Sequence, residues 1–237
     1  MDIELYYIEE GEGFPLVLLH GNGEDHAYFE HQMKPFSARY RVIAPDTRGH
    51  GKSPRGEAPF TLEQFAEDLK VFLDGLGISK CHLLGFSDGG NIALIFALKY
   101  PQYIQKLIVN GANLEPSGVK RSVQLRVELN WAAQKALRHM DPRAEAKFEM
   151  LDLMVTQPHI DALALRGLRM PTLVVAGDKD LILESHTRSI AAPIPGSRLA
   201  FLPGDHFVAK KNWEPFNQLV LEFLEENNKG MREANRQ

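Results

Sequence analysis

One cysteine in 237 residues, Cys81, leaves no material for a disulfide framework or a cysteine-rich zinc site. No apolar run reaches the roughly 18–20 residues needed to span a bilayer. The start, Met1-Asp2-Ile3-Glu4, lacks the basic and apolar segments of a secretory leader, so the expectation is a soluble, cytoplasmic protein with no membrane partner. Positive charge is not in excess. Twenty-seven Lys and Arg face 31 Asp and Glu, a net charge of −4 that supplies no field for holding nucleic acid. Internal repeats and low-complexity segments are missing too. What remains is ordinary globular composition, 44% hydrophobic and 24% charged, at a length that suits one large α/β or β domain with room for an insertion.

Apolar spacing alternates between strand and helix periods. Residues 3–8 alternate as a strand, and Gly11-Glu12-Gly13 turns the chain. Residues 16–19 form a short apolar run, as in a strand buried on both faces. Residues 27–38 suit a helix and 41–44 a strand, with a Gly/Pro-rich loop from Pro45 to Pro59. Thr61 opens a helix, with Gln64 three residues on as a capping-box partner; Leu62, Phe65, Ala66, Leu69, Phe72 and Leu73 share its apolar face. A strand over Cys81–Phe86, a helix over 89–100 and a strand over 104–109 complete a β-α-β-α-β series. Such a series implies a doubly wound, mostly parallel sheet flanked by helices. Residues 119–139 and 142–155 then read as helices with no strand between them. Strand 172–176, helix Glu184–Ala191, strand Arg198–Leu202 and helix 214–226 follow, and the tail after Asn227 reads as disordered. The expected division is an α/β core of residues 1–112 and 169–237, with a small helical lid inserted at 113–168.

Gly85-Phe86-Ser87-Asp88-Gly89-Gly90 carries the strongest chemical signal. It lies between a strand and a helix, the setting of a G-x-S-x-G nucleophile turn. The glycines have a physical task, because a turn that forces Ser87 into an unfavourable backbone region leaves no room for nearby Cβ atoms. The serine hydroxyl would then stand at a helix N-terminus, among N–H groups suited to developing negative charge. A Gly-rich corner with a capping serine is the plainer alternative.

A nucleophilic serine needs a base, and the base an orienting carboxylate. His206 follows strand Arg198–Leu202, at the same sheet edge as Ser87. Gly177-Asp178-Lys179-Asp180 follows strand 172–176 and offers two acids of the same side-chain parity, which alternation does not separate. The order Ser, Asp, His excludes the chymotrypsin and subtilisin arrangements.

These features together resemble the α/β-hydrolase fold family, in its capped, serine-dependent form, from about Tyr6 to Leu224. His20-Gly21-Asn22-Gly23 is similar to the family's oxyanion loop, and Asp46-Thr47-Arg48-Gly49-His50-Gly51-Lys52-Ser53 to its D-x-R-G-H-G-x-S loop. The family's G-x-x-D strand end favours Asp180 as the acid. Pro203-Gly204-Asp205-His206 stands where many members carry Gly-His. Lys99-Tyr100-Pro101 and Asn110-Gly111-Ala112-Asn113 add likeness to the valacyclovir-hydrolase (biphenyl-hydrolase-like) branch, which usually has Trp at the position of Phe86.

The resemblance implies hydrolysis of a small carboxylic ester without a metal or organic cofactor. Ser87 would be the nucleophile, His206 the base and Asp180 its orienting acid, with the N–H groups of Asn22 and Asp88 receiving the oxyanion. Two residues are candidates for substrate binding. Asp88 would either meet an ammonium group, as in an α-amino-acid ester, or simply start its helix, where negative charge is favoured. Trp131, with Phe148, Met150 and Met154, would either line a pocket or pack the lid onto the core.

A C–C bond hydrolase, lactonase, thioesterase or aminopeptidase on the same residues remains open, as does a small-molecule receptor. Three lookalikes fail. Gly51-Lys52-Ser53 has Asp46 where a phosphate loop needs glycine, Gly21-Asn22-Gly23 has His26 at the third dinucleotide glycine, and Asp25, His26, Glu30 and His31 lack ligand spacing for a metal.

Overall fold

The computed structural model describes residues 2–226, so the expectation for the tail after Asn227 lies outside the described residues. Seven strands form one sheet: β1 (Tyr7–Glu10), β2 (Pro15–Leu19), β3 (Arg41–Pro45), β4 (Cys81–Phe86), β5 (Ile104–Asn110), β6 (Thr172–Gly177) and β7 (Arg198–Leu202). Their spatial order is β1-β3-β2-β4-β5-β6-β7, and only the β1–β3 pairing is antiparallel. The chain lays β3 on one side of β2 and β4 on the other, so the order reverses between β2 and β4. Open α/β sheets form their crevice at such a reversal, beyond the carboxyl ends of the strands.

Helices cover both faces. On one side α2 (Leu62–Gly75), α3 (Asp88–Lys99) and α6 (Glu184–Ala191) bury Leu69, Phe96 and Ile190 against Val17, Leu83 and Val109. On the other, α1 (Glu30–Ser37) and α8 (Trp213–Glu225) bury Phe36, Phe216 and Val220 against Leu18, Leu84 and Val175. Every residue of β4 and β6 is buried, which is why both read as unbroken apolar runs rather than alternating ones. Between β5 and β6 the chain forms α4 (Arg121–Leu137) and α5 (Pro142–Thr156), and a short α7 (Val208–Lys211) precedes α8.

Two local expectations need correction. The first strand runs over Tyr7–Glu10, not 3–8. Ile3 and Leu5 do pack against the core, Leu5 fully, but they do so without joining the ladder. Alternating burial alone mimicked a strand. The capping box at α2 is half formed: Thr61 Oγ1 accepts the Gln64 N–H at 3.1 Å, but the Gln64 amide turns to Asp68 Oδ1 at 3.0 Å. Asp68 is the buried partner of Arg48, whose guanidinium is wholly enclosed and bonded through Nε and Nη2 at 2.7 and 2.8 Å. That ion pair anchors the Arg48 loop to α2.

The crossing of α3 over the β2–β4 edge tolerates no side chain at two points. A Cβ on Gly85 would sit 2.1 Å from Gly89 O, and one on Gly89 would sit 2.2 Å from Leu19 O and 2.5 Å from His20 O. Gly89→Ala is therefore expected to destabilise the fold by about 3 kcal/mol or more. Gly75→Ala, with nothing within 4 Å, should be neutral or stabilising by up to about 1 kcal/mol. Chemical denaturation of the two variants checks the contrast.

Candidate active site

Ser87 closes β4 and opens α3 with φ 52° and ψ −121°, the one positive φ among the described non-glycine residues. Such a conformation costs roughly 1–3 kcal/mol and persists only where the surroundings hold it. Here its N–H donates to Asn110 O at 2.8 Å on β5, while its carbonyl accepts from Gly90 and Asn91 in the first turn of α3. The side chain is thereby lifted over the carboxyl ends of the strands.

His206, on the loop after β7, meets Ser87 there. Its Nε2 lies 3.0 Å from Ser87 Oγ, and its Nδ1 lies 2.7 Å from Asp180 Oδ1. With the carboxylate accepting from Nδ1–H, Nε2 is left to accept from the serine hydroxyl. Asp180 is buried, and its Oδ1 also accepts the Ile182 N–H at 2.9 Å. The ambiguity between the two acids after β6 is resolved by contact. Asp178 Oδ1 instead accepts the Gly204 N–H at 2.9 Å, fastening the loop that carries His206. In the same loop Asp205 accepts the Phe207 N–H, a local cap absent from a plain Gly-His turn.

Asn22 and Asp88 flank Ser87 in a cavity of about 320 Å³ at this sheet edge. Asp88 is the first residue of α3, so its N–H has no acceptor within the helix. The Asn22 loop is held by His20, which donates from Nδ1 to Gly21 O at 2.8 Å and accepts the Thr47 N–H on Nε2 at 3.0 Å. Burial, with His50 beside it, depresses His20 to about 4 and keeps it neutral, as that bonding pattern requires. The Asp46–Ser53 loop thus acts as scaffold: Ser53 donates to Asp46 O, and Asp46 accepts from His26 and from the Lys52 N–H.

Two carboxyl groups face the cavity. Burial raises Asp88 to about 6, opposed by the Asn22 and Asn91 amides and by His206; Oδ1 accepts from Asn91 Nδ2 at 3.1 Å, whereas Oδ2 is shielded from solvent and has no partner at hydrogen-bonding geometry. Burial likewise raises Glu24 to about 7, with Lys210 and His206 pulling it down, and its Oε2 is enclosed and unpartnered. Glu24 was passed over in the sequence, although an acid two residues beyond Asn22 on the same loop was a readable signal. Among the lining residues no Lys or Arg offsets these acids.

Trp131 needs correction as a substrate-binding candidate, because it does not line the cavity. Its indole N–H donates to Asp152 at 2.8 Å and its ring stacks near Phe148, so it joins α4 to α5. Met154 does line the cavity, and the Met150 carbonyl accepts from the Asn22 side chain at 2.7 Å. That bond ties the loop after β2 to α5, a role the sequence did not disclose. Asp25 and His26 approach Asp46 rather than Glu30 or His31, with donor atoms within 4.8 Å of one another. A small cation could fit by distance, but His26 Nδ1 already bonds Asp46 Oδ1 at 2.8 Å and Asp25 already caps the Ala27 N–H. Among the described residues no helix is long and apolar enough to cross a membrane.

Sheet order, a strained serine at the β4–α3 turn and acid and histidine on later strand ends define the α/β-hydrolase class. The sequence pattern of the alpha/beta hydrolase fold matches residues 15–139, and the chain belongs to that family. It is 33% identical to human serine hydrolase BPHL, across 94% of this chain and 84% of that protein. It is 28% identical to a protein of Azorhizobium caulinodans provisionally named carbamate hydrolase RutD, across 95% and 96% of the two chains. A thermophilic esterase from Thermogutta terrifontis superposes with a TM-score of 0.80 at 26% identity, covering 94% of each chain. The protein is a hydrolase of this family.

Replacing Asn22 by Ala removes the tie to Met150 O. Hydrogen exchange measured by mass spectrometry should then quicken about fivefold over Pro142–Thr156, the effect of losing about 1 kcal/mol, with β4 and β5 unchanged.

Proposed function

We propose that the protein hydrolyses small carboxylic esters through an acyl-enzyme on Ser87. The observation that carries this reading is the unbroken chain from Ser87 Oγ to His206 to Asp180, at 3.0 and 2.7 Å, with the serine held at φ 52°. His206 takes the hydroxyl proton as Ser87 attacks the carbonyl carbon. The tetrahedral oxyanion is received by the N–H groups of Asn22 and Asp88, each such donor being worth about 3–4 kcal/mol of barrier. Collapse expels the alcohol, which takes its proton from His206. Water then attacks the acyl-enzyme by the same sequence, its proton passing to His206 and on to Ser87 as the acid leaves. Asp180 fixes the imidazole tautomer and stabilises its cation. No step draws on a metal or an organic cofactor, and the reactants are a small molecule and water.

Within esters, α-amino-acid esters suit Asp88. A carboxylate about 6 Å from a developing oxyanion costs roughly 3 kcal/mol at an effective dielectric of 20, so an anion here works against the chemistry unless a cation accompanies it. Burial raises Asp88 to about 6 and leaves its Oδ2 without a partner, and no Lys or Arg in the cavity lining serves this carboxylate. A substrate ammonium would hold Asp88 ionised and offset the repulsion. Asp88 also begins α3, and the two roles coexist.

An activated organophosphonate should modify one residue, Ser87, and Ser87→Ala should abolish both labelling and esterase activity. Modification of another serine removes the proposed nucleophile. Asp180→Asn and His206→Ala should each lower kcat by about 10³–10⁴-fold, while Asp178→Asn should stay within about tenfold. Comparing kcat/KM for an α-amino ester and its des-amino analogue should show an amino preference that Asp88→Asn removes.

A further inference from the structure

We propose that α4 docks the protein onto an anionic lipid surface through the side it turns away from the rest of the chain. α4 packs on α5 and on the turn at Pro116–Gly118. Its faces are inverted relative to an ordinary surface helix, which buries its apolar stripe. Gln124 is 6% exposed and its Oε1 is enclosed without a partner, whereas Leu125 is 46%, Leu129 64% and Leu137 47% exposed. With the exposed Ala132 and Ala136, these leucines fall within an arc of about 140° and form a strip about 18 Å long. Met140, just past the helix, is 81% exposed. Among the described residues nine large apolar side chains are exposed, and four of them gather between positions 125 and 140. Apolar exposure concentrated in this way marks an interaction surface, whereas the scattered kind needs no explanation.

Charge identifies the occupant. Residues 120–147, which span α4, the turn after it and the start of α5, hold seven Lys and Arg against three Asp and Glu. That is a net +4 in a chain whose remainder carries −8. Of the three acids, Glu128 is paired with Arg121 at 2.8 Å and Asp141 caps the Arg143 N–H. At helical spacing Arg126 borders the strip on one side, and Arg121 and Lys135 border it on the other; all three are exposed. An apolar strip edged by basic side chains on one projecting helix suits a bilayer interface. Binding there grows with the apolar area buried and with attraction to anionic headgroups. A second copy of the chain fits worse, because it would set one +4 surface against another with too few acids to pair them. The docking is peripheral. The expectation of no membrane partner rests on the lack of a spanning run and of a leader, and a helix lying flat on the surface requires neither.

Co-sedimentation of the full chain with vesicles tests the proposal, and the readout is independent of Ser87 and its chemistry. In about 0.1 M salt, phosphatidylcholine vesicles containing about 30% phosphatidylserine should bind the protein at least about tenfold more strongly than pure phosphatidylcholine vesicles. Raising the salt to about 0.5 M should weaken that binding. Leu125→Ser combined with Leu129→Ser should lower the affinity about tenfold or more, and so should Arg126→Gln combined with Lys135→Gln. Both double variants should keep the wild-type melting temperature, since the four side chains are exposed. Failure to bind anionic vesicles, or equal binding to neutral ones, overturns the proposal. Binding that the leucine pair leaves intact also overturns it, because charge alone then accounts for the attraction. So does a dimer in sedimentation velocity that the leucine pair splits, since a second copy then covers the strip.

Discussion

The backbone of Ser87 is the constraint on which the site depends. A serine at φ 52° is held only because β4 ends in a turn tight enough for α3 to lie directly on the carbonyls of Leu19 and His20. That approach requires glycine at positions 85 and 89, and it requires β2 and β4 to be neighbours. Sheet order and nucleophile geometry are therefore one arrangement. The strain is opposed by bonds to β5 and to the first turn of α3, so loosening the sheet edge and lowering the hydroxyl are the same event.

Around this fixed point the other strand ends supply loops rather than rigid elements, and each loop is tied by its own local device. His20, neutral and bonded at both ring nitrogens, connects the loop after β2 to Thr47. Asp178 fastens the His206 loop through Gly204, freeing Asp180 to meet the imidazole. The buried Arg48–Asp68 pair pins the intervening loop to α2. Polar groups near the cavity thus divide into those fully engaged in holding loops and those left open. Among the side chains lining the cavity, those with an unpartnered buried oxygen, Glu24 and Asp88, are acids, and this gives the cavity its chemical character.

Much of the architecture was legible because parallel strands and their helices write strong periods: β4, β7 and α6 fall where the sequence places them. Ser87 and His206 stand out in the sequence because each follows a strand, whereas position alone leaves Asp178 and Asp180 equal and only the resemblance to the family's G-x-x-D strand end favours Asp180. The first strand was misplaced because burial of Ile3 and Leu5 imitates alternation without hydrogen bonding. Trp131 was open to two readings because an aromatic on a lid helix has the same spacing whether it faces a cavity or a neighbouring helix; its bond to Asp152 is tertiary and leaves no local trace. The Asn22–Met150 tie spans 128 positions and was invisible for the same reason. Glu24, two residues beyond Asn22 on the same loop, was within reach of the sequence, but only its place in the cavity separates it from an ordinary polar-loop acid.

Trapping the covalent intermediate tests the central claim most directly. A sterically hindered ester, such as a p-nitrophenyl pivalate, acylates readily but deacylates slowly, so acid quenching during turnover should yield protein heavier by one acyl group. Peptide mapping should place that group on Ser87, and the adduct should accumulate further when deacylation is slowed. An acyl group on any other residue, or turnover of the ester that persists in Ser87→Ala, contradicts the account.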